Sequence, residues 1–203
     1  VYDRGGGNPA SIVVANYPPN TEYNGMNLAE ITKAKGKKPT VENAAEILMD
    51  LVYVGNGQGI YHCLDEEDVK RIMSHPHVMH ASDGSTIKFG KAQPHPRSYG
   101  TYPRILGRYV REKNLIPLTE SIRKMTSLPA SVLGLQDRGK VKNNFWADLV
   151  IFDPNNIIDN ATWEDPHQYP SGISWVLVNG KIIIEQGRKS GKLSGKVLKH
   201  PRI

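Results

Sequence analysis

Apolar positions along this chain recur at two spacings, and the alternation between them predicts its elements. Ile12, Val13, Val14 and Ala15 form an unbroken apolar run after a Gly-rich stretch at 3–8, which reads as a β-strand. Tyr17-Pro18-Pro19-Asn20 breaks that run. A short helix is expected at 28–34, followed by a Lys-rich stretch at 33–38. Thr40 is placed to cap a helix reaching about Val52, because Ala44, Ile47, Leu48 and Leu51 share one helical face. Residues 59–63 form a second short apolar run. Asp65 then caps a helix whose first turn is acidic (Glu66, Glu67, Asp68), as the helix dipole favours. Val69, Ile72 and Met73 give it an apolar face, and His75-Pro76 stops it. A third β run covers 78–82. A helix between two such runs predicts a β-α-β crossover with parallel strands, leaving Asp83-Gly84 just past the carboxyl end of the second.

Farther along, a Gly/Pro-rich loop at 90–100 precedes a helix that Thr101 is expected to cap, with Pro103 in its first turn. Ile105, Leu106, Tyr109 and Val110 form its apolar face. Pro117 opens another helix with Ile122 and Met125 inward, and a short one is expected over 129–135. The character changes at Gly139. Residues 147–152 read as a strand ended by Asp153-Pro154, and 173–178, Asn179-Gly180 and 181–185 read as a hairpin with a two-residue type I′ turn. The division expected is therefore an α/β part over 1–138 and a small β part over 139–203.

Composition narrows the classes. The 203 residues, 38% of them hydrophobic, suffice for an ordinary buried core. One cysteine excludes a disulfide scaffold, and no apolar run approaches the ~20 residues of a membrane helix. With no recognisable leader and a lone thiol, a soluble cytoplasmic protein with no membrane partner is expected. The net charge of +6 comes from one end. Residues 181–203 hold seven basic side chains against Glu185, and the remainder balances at 19 of each sign. No aromatic residue interleaves with these charges, so a solvated basic tail is expected and a nucleic-acid partner is not.

Two positions can carry chemistry. A carboxylate at a strand's carboxyl end is where parallel α/β folds collect functional groups, and Gly84 lets the chain turn away from Asp83; an Asx turn explains the same residues equally well. Arg97 lies between prolines and a glycine, where a guanidinium would be held ready for a planar carboxylate; a plain surface arginine is the alternative. His75-Pro76-His77 has the spacing of a metal pair but sits in a turn, and His80 reads as a satisfied interior histidine. His62 and Cys63, at the end of the preceding run, read as packing residues. Phosphate loops, paired C-x-x-C cysteines and G-x-S-x-G elbows are absent.

The order of these features resembles a known family. Tyr61-His62, residues 65–69 and 78–84, His95-Pro96-Arg97 and Thr101-Tyr102-Pro103-Arg104-Ile105-Leu106-Gly107-Arg108-Tyr109 resemble the C-terminal portion of the N-acyl-D-amino-acid deacylases (D-aminoacylases) of the amidohydrolase superfamily. Residues 124–130, 145–153 and Val178-Asn179-Gly180-Lys181 continue the likeness. It implies an α/β fold: the C-terminal part of a TIM-like (β/α) barrel followed by strands of a small β-sandwich. It also implies a zinc-dependent hydrolase that cleaves the amide of N-acyl-D-amino acids to a carboxylate and a D-amino acid. Asp83 matches the family's proton-carrying aspartate, general base then general acid, and is also a candidate metal ligand. Arg97 matches the arginine that holds the substrate's α-carboxylate, and Tyr17 falls near a substrate-contacting position. The family's main metal ligands, a Cys and His residues on earlier strands, lie upstream of these matches. The chain alone is thus expected to be inactive and to need a missing N-terminal half or self-association. Two other readings remain: a stand-alone non-catalytic interaction module, and another amidohydrolase such as a cyclic amidase, for which the carboxylate clamp Arg97 would have no use.

Overall fold

The computed structural model describes residues 1–199; Arg202 of the basic tail lies outside the described residues. The elements in chain order are α1 (Tyr2–Gly5), β1 (Ile12–Asn16), α2 (Leu28–Ala34), α3 (Val41–Val54), β2 (Gln58–Tyr61), α4 (Glu66–Ser74) and α5 (Arg97–Arg104). A π-helical stretch (Ile105–Glu112) continues α5. Then come α6 (Leu118–Met125), α7 (Ser127–Val132), β3 (Leu149–Phe152), β4 (Ile173–Val178), β5 (Lys181–Glu185) and β6 (Arg188–Lys189). These form two compact units interleaved in sequence. The first comprises Val1–Val69, Gly84–Ser98 and Thr162–His167, and the second Lys70–Asp83, Tyr99–Ala161 and the chain from Gln168 onward.

The first unit is built on local rules that hold. Asn27 and Glu30 make reciprocal side-chain to backbone bonds, a capping box that starts α2, and Thr40 accepts from the Asn43 N–H to start α3. The faces so presented bury Leu28, Ile31, Ala44, Ile47 and Leu51 against Ile12, Val14 and Tyr17. Strand β1 pairs antiparallel with β2, Ile12 opposite Tyr61 and Val13 opposite Ile60.

That pairing corrects the expected crossover. Residues 78–82 run outside every sheet, and β2 has β1 as its antiparallel neighbour. An apolar run becomes a strand only where another strand offers a ladder. Here the His80 N–H donates instead to the Lys124 carbonyl at 3.1 Å. The α4 helix starts as expected, Asp65 accepting from the Glu67 N–H at 2.8 Å, but none of its residues is buried and Ile72 is exposed. Helix α5 also starts earlier than expected. His95 accepts from the N–H groups of Arg97 and Ser98, with Pro96 preset for the first turn, so Thr101 lies inside the helix. Pro103 removes one rung of the ladder, and the chain beyond it widens to π geometry.

In the second unit the carboxylate of Asp159, 4% exposed, lies 3.0 Å from Arg104 Nη1 and 3.0 Å from Arg108 Nε. Arg111 donates to the Ile157 carbonyl at 2.6 Å, so three arginines on one helical run grip residues 157–159. Strands β3 to β6 form an antiparallel sheet in chain order. The hairpin between β4 and β5 is the expected one: Val178 faces Lys181, and Asn179 (φ 49°) and Gly180 (φ 75°) both adopt the left-handed conformation of a type I′ turn. Its tip is held by Asp148, which accepts from the Asn179 N–H at 2.7 Å and pairs with Arg138. The described basic side chains of the tail are exposed, as the sequence leads one to expect. Arg188–Lys189 adds a strand, and the Lys189 ammonium donates to the Tyr169 hydroxyl at 2.6 Å.

Replacing Asp159 removes the anion shared by two part-exposed guanidinium groups. Asp159→Ala is expected to lower the unfolding free energy by ~1–3 kcal/mol, measured by urea denaturation against the parent protein.

Candidate functional site

Asp83 is exposed and has φ 47°, a left-handed conformation that aspartate tolerates better than most residues. It ends the second unit's segment Lys70–Asp83. That segment is held from α6. Lys124, fully buried, donates from Nζ to the carbonyls of Met73 and His75, at 2.5 and 2.6 Å. Arg123 donates to the Pro76 carbonyl at 2.6 Å while making a double bond-pair with Glu120. Burial lowers the Lys124 ammonium below the usual lysine range, and the guanidinium of Arg123 holds Glu120 below the usual carboxylate range. Two adjacent residues thus fix the turn at 73–76 and, through the Lys124 carbonyl, the run at 78–82.

His80 lies within this run and departs from the expected satisfied histidine. It is 8% exposed, and its Nε2 has no hydrogen-bond partner. Burial first, and the charge of Lys124 second, push its pKa down from 6.5 to about 4.

Arg97 belongs to the first unit and is the exposed opening residue of α5, not part of a stiff loop. Gly84 lies in the same unit. A Cβ on Gly84 would crowd the Ser98 Cα at 3.0 Å and the Arg97 carbonyl at 3.1 Å, so this backbone approach favours glycine. The Ser85 N–H donates to Ser98 Oγ at 3.3 Å. Tyr17, the third position the resemblance singled out, is a core residue 3% exposed whose hydroxyl donates to the Leu51 carbonyl at 3.1 Å. His62 and Cys63 follow β2, and because residues 78–82 join no sheet they share no sheet face with Asp83. His75 and His77 form a turn, the His77 N–H pointing to His75 Nδ1 at 3.3 Å. Among the described residues no three of His, Cys, Asp and Glu converge to hold a metal ion. The second unit also contains an apolar cleft of about 410 Å³, walled by Tyr102, Leu106, Met125, Phe152 and Val176, with Ile122 half-buried in its lining. Among the described residues no helix is long and apolar enough to cross a membrane.

Residues 27–184 match the model of the amidohydrolase family. The chain belongs to that family. It is 40% identical over 181 residues to N-acyl-D-glutamate deacylase of Alcaligenes xylosoxydans xylosoxydans, covering 89% of this chain and 35% of that protein. D-aminoacylase of the same organism is 37% identical over 180 residues, with the same coverage. Among solved structures, a D-aminoacylase described as defining a novel subset of amidohydrolases superposes with a TM-score of 0.79 at 36% identity, over 89% of this chain and 36% of that one. An N-acyl-D-glutamate deacylase from Bordetella bronchiseptica, solved with zinc and a phosphonate mimic of the tetrahedral intermediate, superposes at 0.77 with 36% identity, over 93% and 37%. The resemblance read from the residues is therefore correct, and this amidohydrolase chain spans about 35% of the length of the curated relatives it matches.

The fully buried Lys124 went unread in the sequence because it sits beside Ile122 and Met125, which carry the apolar pattern. The signal available was Ser121 and Lys124 at i, i+3 on the face opposite the solvent.

The pKa of His80 sets an acid limit. Because the folded-state value of about 4 lies below 6.5, the unfolded chain binds the proton first as pH falls. This group's contribution is thus intact above pH ~6.5, declines through pH ~4 and levels off below, costing about 3 kcal/mol in all. His80→Leu is expected to flatten that part of the stability profile, read as the difference between parent and variant in urea denaturation from pH 7 to 4.

Proposed function

We propose that this chain is the C-terminal portion of a hydrolase that cleaves N-acyl-D-amino acids to a carboxylate and a free D-amino acid. The observation that carries this reading is the 40% identity to N-acyl-D-glutamate deacylase across 89% of the chain, in which Asp83 and Arg97 fall within the matched family region. In this reading residues 1–138 supply the last part of a (β/α) barrel, and 139–203 supply strands of a β-sandwich. The carboxylate of Asp83 takes the proton from the attacking water at one of its oxygens and returns it to the leaving nitrogen, so that the amine departs neutral. Arg97, at the start of α5, receives the substrate's α-carboxylate in a two-pronged charge-assisted bond. Its exposure and its position at a helix N-terminus both favour an anion.

The described residues of this chain do not by themselves fit a zinc site. They offer the Asp83 carboxylate without two further donors beside it, so no step is derived through a metal. Donors from a further segment or a second polypeptide are required for one. Exposed apolar side chains on α3, among them Met49, Val52 and Tyr53 at 63%, 61% and 93%, support the need for such a partner.

Two substitutions test the assignment in the assembled enzyme. Asp83→Ala is expected to lower kcat by ~10²–10⁴-fold, the usual worth of general acid–base catalysis, with bound zinc largely retained. Normal turnover removes Asp83 from the mechanism. Arg97→Ala is expected to raise KM for N-acetyl-D-amino acids by roughly 10-fold or more with a smaller change in kcat; an unchanged KM ends the carboxylate role.

A further inference from the structure

The loop that leads into Arg97 is held by a segment far along the chain. Residues 162–167 form a self-contained turn: the Thr162 N–H donates to the Asp165 carbonyl at 3.1 Å, and the Asp165 N–H returns to Thr162 Oγ1 at 3.0 Å. This turn belongs to the first unit together with the loop, although their contacts span 70 to 77 residues of sequence. His167 grips the loop with both ring nitrogens. Nδ1 accepts from the Gly90 N–H at 3.2 Å, which leaves the ring hydrogen on Nε2 to donate to the Ala92 carbonyl, also at 3.2 Å. Gln93 Nε2 donates to the Trp163 carbonyl at 2.7 Å. The rings of His62 and His95 meet the Trp163 ring edge-on, each at 4.5 Å between centroids. His95 is the residue whose Nδ1 accepts from the Arg97 N–H at 3.0 Å.

The loop stores strain that these contacts hold. Ala92 has φ 58°, a left-handed conformation costing a non-glycine residue ~1–2 kcal/mol. Such a conformation persists where its surroundings over-determine it, and here its carbonyl is one of the two groups His167 holds. Pro94 and Pro166, one on each segment, are both buried.

We propose that Thr162–His167 is a strap that fixes the Arg97 loop, and that Trp163 and His167 are positioning residues setting the preference for substrates with a free α-carboxylate. The specificity half rests on the reading of Arg97 given above. A guanidinium displaced by an ångström loses its two-pronged contact while the reacting groups, held elsewhere, are untouched.

The experiment compares hydrolysis of an N-acetyl-D-amino acid with that of its carboxamide, in the parent enzyme and in the His167→Leu, His167→Gln and Trp163→Ala variants. In His167→Leu and Trp163→Ala, KM for the carboxylate is expected to rise ~10-fold, with kcat and the carboxamide kinetics changed much less. His167→Gln, which keeps an acceptor and a donor, is expected to recover most of the loss. Equal falls in kcat for both substrates, or no rise in KM, overturn the specificity role. Amide hydrogen exchange at Gly90 needs no activity: His167→Leu is expected to speed it by ~10-fold or more, and an unchanged rate overturns the strap. An assembled parent enzyme that hydrolyses neither substrate overturns the deacylase reading and the specificity role together, and Gly90 exchange then decides the strap alone.

Discussion

The buried carboxylate of Asp159 is the constraint on which the second unit depends. It has two guanidinium partners at 3.0 Å and is itself 4% exposed, whereas Arg104 and Arg108 keep 49% and 39% of their side chains in solvent. The desolvation cost therefore falls mainly on the anion, and both cations offset it. The consequence is geometric. Arg104, Arg108 and Arg111 sit on one run of helix that includes the π turns, and all three bond to residues 154–159. Those residues follow β3 closely, so one carboxylate ties the helical run to the segment that leaves the sheet. The apolar cleft is lined from both the helices and the sheet.

What the sequence disclosed and what it hid divide along contact distance. Thr40, Asp65 and Asn179-Gly180 act on backbone groups two or three residues away, and each was readable because the residue type alone satisfies a local donor or a left-handed turn. The crossover was misread for the opposite reason. Residues 59–63 and 78–82 are both apolar and similarly long, but periodicity does not name a strand's neighbour, and β2 had β1 available. Thr101 has the residue type of a cap, whereas His95, six residues earlier, supplies an imidazole and a carbonyl to the same helix. For the candidate site, Asp83 and Arg97 were legible through a family resemblance. Their supports were not: Lys124 contacts Met73 from 51 residues away and His167 contacts Gly90 from 77.

These supports explain how chemistry can reside on segments without regular structure. Asp83 follows an irregular run outside any sheet, and Arg97 follows a loop containing a strained alanine. Left to themselves, such segments would sample many conformations, and a side chain placed to within an ångström would lose that placement. Each is instead held from later in the chain. Lys124 and Arg123 bind the carbonyls of Met73, His75 and Pro76 before Asp83, and His167 with Trp163 binds the loop before Arg97. Lys124, Arg123 and His167 bond to backbone groups, which fixes position without dictating the sequence of the segment held, whereas the Trp163 carbonyl takes the Gln93 side chain. Substrate preference can then change through the residues of the loop while the anchors keep its path. For that reason residues 162–167, which carry no candidate catalytic group, are the structural complement of the proposed site: they fix the path of the loop that leads to Arg97.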